Sequence, residues 1–246
     1  MSREIDELKI NNKGLFVFIL VGVTLFSYGM LYKLPFIHPN MYSDVAFIYL
    51  REYHDRGHAG LVPNWDFDFE YPAVVAVVIF LTERASVAFP FLLDAFNTFV
   101  FLNGLLQLIL FVGTLFILWQ LQSDSVRFYT YFVGTVSFAM YSFYNWDMFV
   151  VFFVTLSLFL YLRKGFWHGK ELSAVSLGLA IASKFIPVVM LPVLVQALKP
   201  LRLKLTYLGI TVGSWLLVNA PFMLHNMERW LFTYRFVADF QSTNTW

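Results

Sequence analysis

Three acidic side chains at alternate positions are the residues of this sequence best suited to chemistry. Asp66, Asp68 and Glu70 precede Pro72 and the apolar run at residues 73–81. In an extended strand all three carboxylates would share one face. That face would suit a divalent cation, through hard oxygen ligands, or the hydroxyl groups of a sugar. The alternative is a solvated turn before a helix, with Glu70 near the helix N-terminus and Pro72 in its first turn. Neither interpretation requires a metal, and we predict no metal or other cofactor.

The composition predicts that these residues belong to a membrane protein. Of 246 residues, 59% are hydrophobic, 20% are aromatic and only 13% are charged, which is far from the usage of soluble domains. The net charge of +1 predicts neither a nucleic acid nor an acidic partner. The absence of cysteine excludes disulfides and thiolate metal sites. If the run after Pro72 enters a bilayer, the acidic stretch lies at the membrane surface and faces a lipid-borne substrate.

Several uncharged apolar runs approach the roughly 20 residues that a helix needs to cross the hydrocarbon. Because they lack the alternation of a barrel strand, helix is the only structure that satisfies their backbone in lipid. We therefore predict an all-α, polytopic transmembrane bundle of about seven crossings plus re-entrant hairpins, forming a single domain over residues 1–246. The main runs are Leu15 to Leu31, Phe99 to Leu118, Phe128 to Phe143, Met148 to Leu162 and Leu205 to Val218.

Basic residues orient these helices, because cytoplasmic loops are enriched in Lys and Arg. The linkers at 163–170 and 199–204 are therefore expected inside. The segment between them is too short for two full crossings at about 1.5 Å per residue. It is predicted to be a hairpin of two half-helices with its apex at Lys184 to Pro187. Lys184 should line a cavity there, because irregular backbone at membrane depth needs protein or water beside it.

The same alternation of crossings brings the remaining polar motifs to the external face. The first external loop, residues 33–71, is long for a connection and is expected to be functional. Apolar residues at helical spacing over 44–56 predict an amphipathic helix lying on the membrane and ended by Gly57. Ser43 or Asp44 would cap it.

Residues 72–121 have ends on opposite sides of the membrane. The segment is about 50 residues long, which allows one crossing plus a dip or three short crossings. We favour a shallow re-entrant pair around Glu83 and Arg84, followed by one full helix from about Asn97.

Short motifs along nearly the whole chain, in order, resemble the GT-C superfamily of membrane glycosyltransferases. The closest resemblance is to the polyprenyl-phosphate-mannose-dependent mannosyltransferases, glycosyltransferase family 87 and its relatives. The family implies an inverting transfer of a sugar, usually mannose, from a polyprenyl-phosphate donor to a lipid or glycan acceptor at the outer or lumenal face. It also implies that an Asp in the first external loop is the base. The motifs are Ser43-Asp44-Val45, Phe69-Glu70-Tyr71-Pro72, Asn145-Trp146-Asp147, the spaced set Gly178, Lys184 and Pro187, and Tyr234-Arg235 before Ser242-Thr243-Asn244-Thr245-Trp246.

The number of predicted crossings departs from this family. Such enzymes usually have about twelve helices, against about seven predicted here, so the resemblance covers the amino-terminal module. The family's carboxy-terminal helices, which help hold the lipid of the donor, have no counterpart in this sequence. Either a second membrane subunit supplies them, or this is a minimal enzyme, or it is an inactive fragment.

Asp44 is our candidate for the general base. Inverting transfer needs one carboxylate to take the proton of the attacking hydroxyl, through an oxocarbenium-like transition state. The alternative is that Asp44 only caps the amphipathic helix. A phosphate leaving group needs no general acid, but it does need cations to stabilise its developing charge.

Lys184 is the candidate for binding the donor phosphate, because a Lys within a membrane segment usually faces a cavity or a partner. The alternative is a structural ion pair with Asp147 or Asp94. Arg235 would add a forked contact to phosphate. His54 would help to hold phosphate or is a surface histidine, since the His spacing fits no zinc pattern.

Asn145 and Asp147 complete the substrate-binding set with Asp66, Asp68, Glu70 and Tyr71. They would bind sugar or orient Lys184, although Asp147 at a helix start is also an ordinary cap.

Three functional classes follow from this sequence. The first is the polyprenyl-phosphate-sugar glycosyltransferase, in a plasma membrane or an endoplasmic-reticulum-like membrane with its active face extracytoplasmic. The second is a non-catalytic or partner-dependent subunit of a split enzyme. The third, a transporter or flippase, is disfavoured because the sequence shows neither pseudo-symmetric halves nor charges spread along its helices.

Overall fold

The computed structural model describes residues 12–91, 94–121, 141, 143–163 and 165–239. Every secondary-structure element assigned within these residues is a helix, so the predicted all-α class is confirmed. The elements are α1 (Asn12–Tyr32), α2 (Asp44–Ile48), a π-helical segment (Tyr49–Asp55), α3 (Ala73–Ala88), α4 (Ala95–Leu121), α5 (Asp147–Leu162), α6 (Gly169–Ser183), a 3-10 turn (Ile186–Val189), α7 (Met190–Ala197), α8 (Leu201–His225) and α9 (Met227–Asp239).

Three helices in the described part of the chain are long and apolar enough to cross a membrane. They are α1, α4 and α8, which is compatible with a membrane protein. The predicted run Met148 to Leu162 forms α5, which is apolar but has only 16 residues. The predicted helix at 128–143, apart from positions 141 and 143, and the closing motif at 242–246 lie outside the described residues. The number of about seven membrane crossings therefore remains a prediction.

Small residues let α6 lie close to both α5 and α8. A Cβ on Gly178 would come within 2.6 Å of the Thr211 carbonyl oxygen on α8. Ser157 of α5 and Ser173 of α6 each donate a hydroxyl hydrogen bond to the other's carbonyl oxygen, at 2.9 and 2.8 Å. Small and hydroxylated residues are typical of helix contacts in membranes, where they allow close approach and hydrogen bonds between helices.

Helix α6 ends where the sequence predicts a break. Ser183 is its last residue, and Lys184 is extended, with φ −161° and ψ 137°. The 3-10 turn that contains Pro187 follows, and it leads into the eight-residue α7. The predicted interruption at Lys184 to Pro187 is therefore confirmed, and it presents the Lys184 side chain from a non-helical position.

The predicted re-entrant pair around Glu83 and Arg84 is wrong. Helix α3 passes through both residues without a break, because no proline or glycine interrupts residues 73–88. The Thr82 hydroxyl also donates to the carbonyl oxygen of Val78, one turn earlier, at 2.8 Å. The helix predicted to start at about Asn97 is present and begins at Ala95.

Residues 44–55 of the first loop form α2 and the π-helical segment, whereas an amphipathic helix lying on the membrane remains a prediction. Ser43 caps α2, accepting a hydrogen bond from the Ala46 amide at 3.2 Å. The apolar face of this stretch packs against α4 through Tyr49 and Phe99, whose ring centroids are 5.0 Å apart. Protein therefore covers the face that the sequence assigns to the membrane surface.

Candidate functional site

The Asp44 carboxylate is hydrogen-bonded by the Tyr71 and Tyr42 hydroxyls and does not cap its own helix. Ser43 occupies the N-cap position, so the alternative role of Asp44 as the cap is not the one observed. The Tyr71 hydroxyl donates to Asp44 Oδ2 at 2.7 Å, and the Asp44 backbone amide donates to the Tyr144 carbonyl oxygen at 2.9 Å. Two distant segments thus fix both the backbone and the side chain of Asp44.

Tyr71 is held as a hydrogen-bond donor by its surroundings. Its ring meets Trp146 edge to face, with centroids 5.1 Å apart, and lies 5.8 Å from the ring of Phe69. Burial, and then the nearby Asp44 carboxylate, raises the pKa of the Tyr71 hydroxyl. The hydroxyl therefore keeps its proton and its bond to Asp44 across the accessible pH range.

Trp146 anchors this arrangement to the helices. It is 1% exposed, and its indole N–H donates to Asn103 Oδ1 on α4 at 2.8 Å. The Asn103 amide donates in turn to Thr82 Oγ1 on α3 at 3.0 Å and to the Phe99 carbonyl oxygen at 2.9 Å. Asn103 belongs to none of the motifs singled out in the sequence. Its only signal is a polar amide within an uncharged apolar run.

The loop before α5 places an ion pair near Tyr71. Asn145 accepts from the Asp147 amide at 2.9 Å and donates to Asp147 Oδ2 at 3.1 Å. Lys184 contacts Asp147 Oδ1 at 2.6 Å, and the two side chains are 41% and 49% exposed. One of the two predicted alternatives for Lys184, pairing with Asp147, is therefore observed. An ammonium carries several N–H donors, and the exposed part of this one remains accessible.

Asp44, Tyr71, Asn145, Asp147 and Lys184 therefore belong to one group, which we call the Asp44 site. They come from the start of α2, the end of the first loop, the loop before α5 and the break after α6. They converge on residues 144–147: the Asp44 amide bonds to Tyr144, the Tyr71 ring packs on Trp146, and Lys184 pairs with Asp147.

Of the two interpretations of residues 66–70, a shared acidic face or a turn, the structure shows a turn at Asp66, and the three carboxylates lie in different surroundings. Asp66 Oδ2 accepts from the Val62 amide at 2.7 Å, closing a turn in which Asn64 has a φ of 62°. Glu70 binds Arg51 Nη2 at 2.5 Å. Asp68 lines a separate cleft. A turn takes the place of a strand, so the alternation does not direct the side chains to one side.

Arg51 bridges two acids and secures the first loop. Its other nitrogen, Nε, contacts Glu52 at 2.5 Å, and Glu52 also accepts from Arg56 and His58 at 3.0 and 3.1 Å. Glu70 is therefore part of a network that ties the end of the loop to the π-helical segment.

Arg235 and His54 are not joined to the Asp44 site by any contact among the described residues. Arg235 is exposed on α9 and shares a cleft of about 380 Å³ with Asp68 and Arg229. His54 is exposed and pairs with the adjacent Asp55 at 2.8 Å. Within the same described ranges, no group of three or more His, Cys, Asp or Glu side chains is arranged to hold a metal ion.

The structure adds Lys33 and two tyrosines that the sequence analysis did not select. Tyr42 and Tyr144 have ring centroids 5.6 Å apart, and the Lys33 ammonium lies 5.7 Å from the centroid of Tyr144. Burial lowers the pKa of Lys33 to about 8. Burial, followed by the Asp44 carboxylate, raises the pKa of Tyr42. Nothing in the sequence pairs positions so far apart.

Comparison with protein families, curated proteins and solved structures gives no match to this chain.

Proposed function

We propose that this protein is an inverting glycosyltransferase that takes a sugar, with mannose as the first choice, from a polyprenyl-phosphate donor. The observation that carries the proposal is the Asp44 site itself. A positioned carboxylate, Asp44, and an accessible ammonium, Lys184, lie far apart in the chain, and both bond to the short loop at residues 144–147. The motif resemblance to the GT-C superfamily supports the same chemistry.

Asp44 is the general base in this proposal. The acceptor hydroxyl attacks the anomeric carbon as the bond from that carbon to the donor phosphate oxygen breaks, and the hydroxyl proton passes to Asp44. Tyr71 occupies one lone pair of Oδ2, and a carboxylate has further lone pairs on both oxygens. Tyr71 thus orients the base without consuming its capacity to accept a proton.

Lys184 binds the phosphate that leaves. A phosphate group gains negative charge in the transition state, and a fixed cation stabilises that charge. The ion pair with Asp147 holds the ammonium in place, and the N–H donors beyond that pair bind the phosphate oxygens. Asn145 keeps Asp147 in position through its two hydrogen bonds.

The test is sugar transfer in membranes that carry this chain alone. Radiolabelled polyprenyl-phosphate-mannose is the donor, and Asp44→Asn is compared with the wild type. The variant should lose roughly 10²- to 10⁴-fold in rate, the usual contribution of a general base. Asp55→Asn is the matched control, because Asp55 is an exposed acid of the same loop that pairs with its neighbour His54.

A well-folded wild type without transfer would refute the minimal enzyme. It would favour the partner-dependent subunit, in which a second membrane chain completes the donor site. Movement of the lipid-linked sugar across the membrane without transfer would favour the transporter class. Equal rates in Asp44→Asn and the wild type would remove Asp44 as the base.

A further inference from the structure

A continuous strip of aromatic rings runs along the surface next to Asp44. We call Tyr141, Tyr144, Tyr42 and Phe47 the aromatic strip. Successive ring centroids are 5.8, 5.6 and 5.7 Å apart. Tyr141, Tyr42 and Phe47 are 69%, 50% and 42% exposed, so the strip presents ring surface to the outside.

The two middle rings of the aromatic strip, Tyr42 and Tyr144, lie beside Asp44, the candidate base. Tyr42 lies two residues before Asp44, and the Tyr144 carbonyl oxygen accepts from the Asp44 amide at 2.9 Å. Tyr42 and Phe47 also line a groove of about 420 Å³, with Phe36 among its other apolar residues. Ligand sites commonly measure about 300–1,000 Å³. A molecule lying in this groove and on these rings would have its end beside the carboxylate.

Cations hold two of the rings in place. The Lys33 ammonium lies 5.7 Å from the Tyr144 centroid, and the Arg51 guanidinium lies 5.2 Å from the Phe47 centroid. Such contacts are attractive because the ring face carries negative charge density. Arg51 is itself fixed by Glu70. The strip is therefore a preorganised surface.

The chemistry of this surface fits a saccharide. Ring faces are negative, and the C–H groups on the flat side of a sugar are slightly positive, so the two stack. Sugar hydroxyls need hydrogen-bond partners at the edges of the stack. The Asn40 amide at the groove wall supplies one, and the Asp44 carboxylate, which the Tyr42 hydroxyl links to the strip, supplies another. A prenyl or acyl chain would instead displace water from these polar groups without replacing its hydrogen bonds, which is costly.

We propose that Tyr42, Tyr144 and Phe47 form the acceptor subsite, and that the acceptor is a saccharide whose terminal hydroxyl reaches Asp44. Binding of the saccharide is independent of catalysis. That the bound saccharide is the acceptor of the reaction rests on the proposed glycosyl transfer. The strip thus selects a glycan over a lipid alcohol or a serine or threonine hydroxyl.

The test measures binding and transfer separately on the full-length chain in lipid nanodiscs. Saturation-transfer difference NMR uses methyl α-mannoside as the saccharide probe and farnesol as the prenyl probe. Tyr42→Ala and Tyr144→Ala should each raise the Kd for the saccharide by roughly 2- to 10-fold. Tyr42→Phe keeps the ring and should retain most of the binding. The control is Trp167→Ala, because Trp167 is a still more exposed aromatic residue, at 83%, in the linker between α5 and α6.

The outcomes distinguish failure of the saccharide subsite from failure of the proposed glycosyltransferase. Saccharide binding that weakens in Tyr42→Ala but not in Trp167→Ala supports the subsite, whether or not transfer occurs. Such binding without any transfer, donor being present, would refute the minimal enzyme and leave the saccharide subsite standing. Farnesol binding that depends on Tyr42, or saccharide binding unchanged in both alanine variants, overturns the subsite. Transfer to farnesol but not to the mannoside would keep the enzyme and refute the saccharide acceptor.

Discussion

Replacing Tyr71 by Phe removes one hydroxyl from the Asp44 site and leaves the aromatic ring in place. The lost bond is the 2.7 Å contact from the Tyr71 hydroxyl to Asp44 Oδ2. The ring contacts with Trp146 and Phe69 do not involve the hydroxyl. The substitution therefore tests orientation of the base with little change in packing.

The expected loss follows from the strength of that bond. A hydrogen bond to a charged group contributes about 1.5–3 kcal/mol, which corresponds to roughly 10- to 150-fold in rate. We expect kcat to fall within this range and KM for the donor to change little, since the donor phosphate is bound elsewhere in the site. At alkaline pH the ratio of wild-type to variant rates should stay constant, because burial raises the Tyr71 pKa and keeps the hydroxyl protonated.

Tyr161→Phe is the matched control for this experiment. The Tyr161 hydroxyl donates to the Leu194 carbonyl oxygen at 2.8 Å in a separate core cluster. Its removal should lower the free energy of unfolding by about 1 kcal/mol and leave kcat unchanged. Initial rates with radiolabelled donor and thermal unfolding in detergent measure the two effects. A Tyr71→Phe protein with wild-type kcat but reduced stability would refute the assigned role, and Tyr71 would then be a structural residue only.

Three further predictions test the packing, the phosphate site and the buried cation. Gly178→Ala should lower the free energy of unfolding by about 1–3 kcal/mol, because its Cβ would come within 2.6 Å of a backbone oxygen of α8. Gly209→Ala, whose Cβ meets nothing within 4 Å, should keep or raise the unfolding midpoint, because Ala is the better helix former, and equal midpoints for the two variants would refute the close approach. Lys184→Met should raise KM for the donor roughly 10-fold or more, and adding Asp147→Asn should not restore it in donor titrations; restoration would show that the ion pair is purely structural. Because burial lowers the pKa of Lys33 to about 8, the charge is lost as the pH rises through that value, so the activity should fall there. Lys33→Arg keeps its charge and should move that decline to higher pH in a pH–rate profile. An unchanged profile would show that the activity does not depend on the charge of Lys33.

The features that the sequence predicted well depend on short stretches of chain. Ser43 is a cap because its side chain reaches an amide three residues later. The break at Lys184 to Pro187 follows from a proline that cannot continue a helix. The long apolar helices follow from composition alone, since a run of such residues satisfies its backbone in lipid only as a helix.

The sequence was undecided or wrong where a local pattern allowed more than one conformation. Alternating acids at 66–70 suit a strand or a turn, and the positive φ of Asn64 selects the turn. The charges of Glu83 and Arg84 suggested an interruption, yet α3 accommodates both. Periodicity cannot decide such cases, because it says nothing about the groups that will lie beside the chain.

The amino-acid sequence by itself determined the all-helical class, the apolar helices and the identity of Asp44 and Lys184 as candidates. Only the tertiary structure decided which groups meet. Tyr71 lies 27 positions from Asp44, and Trp146 lies 43 positions from Asn103. Helices and their ends follow from interactions a few residues apart, whereas a site is made of contacts through space. Those contacts exist only once the helices have packed.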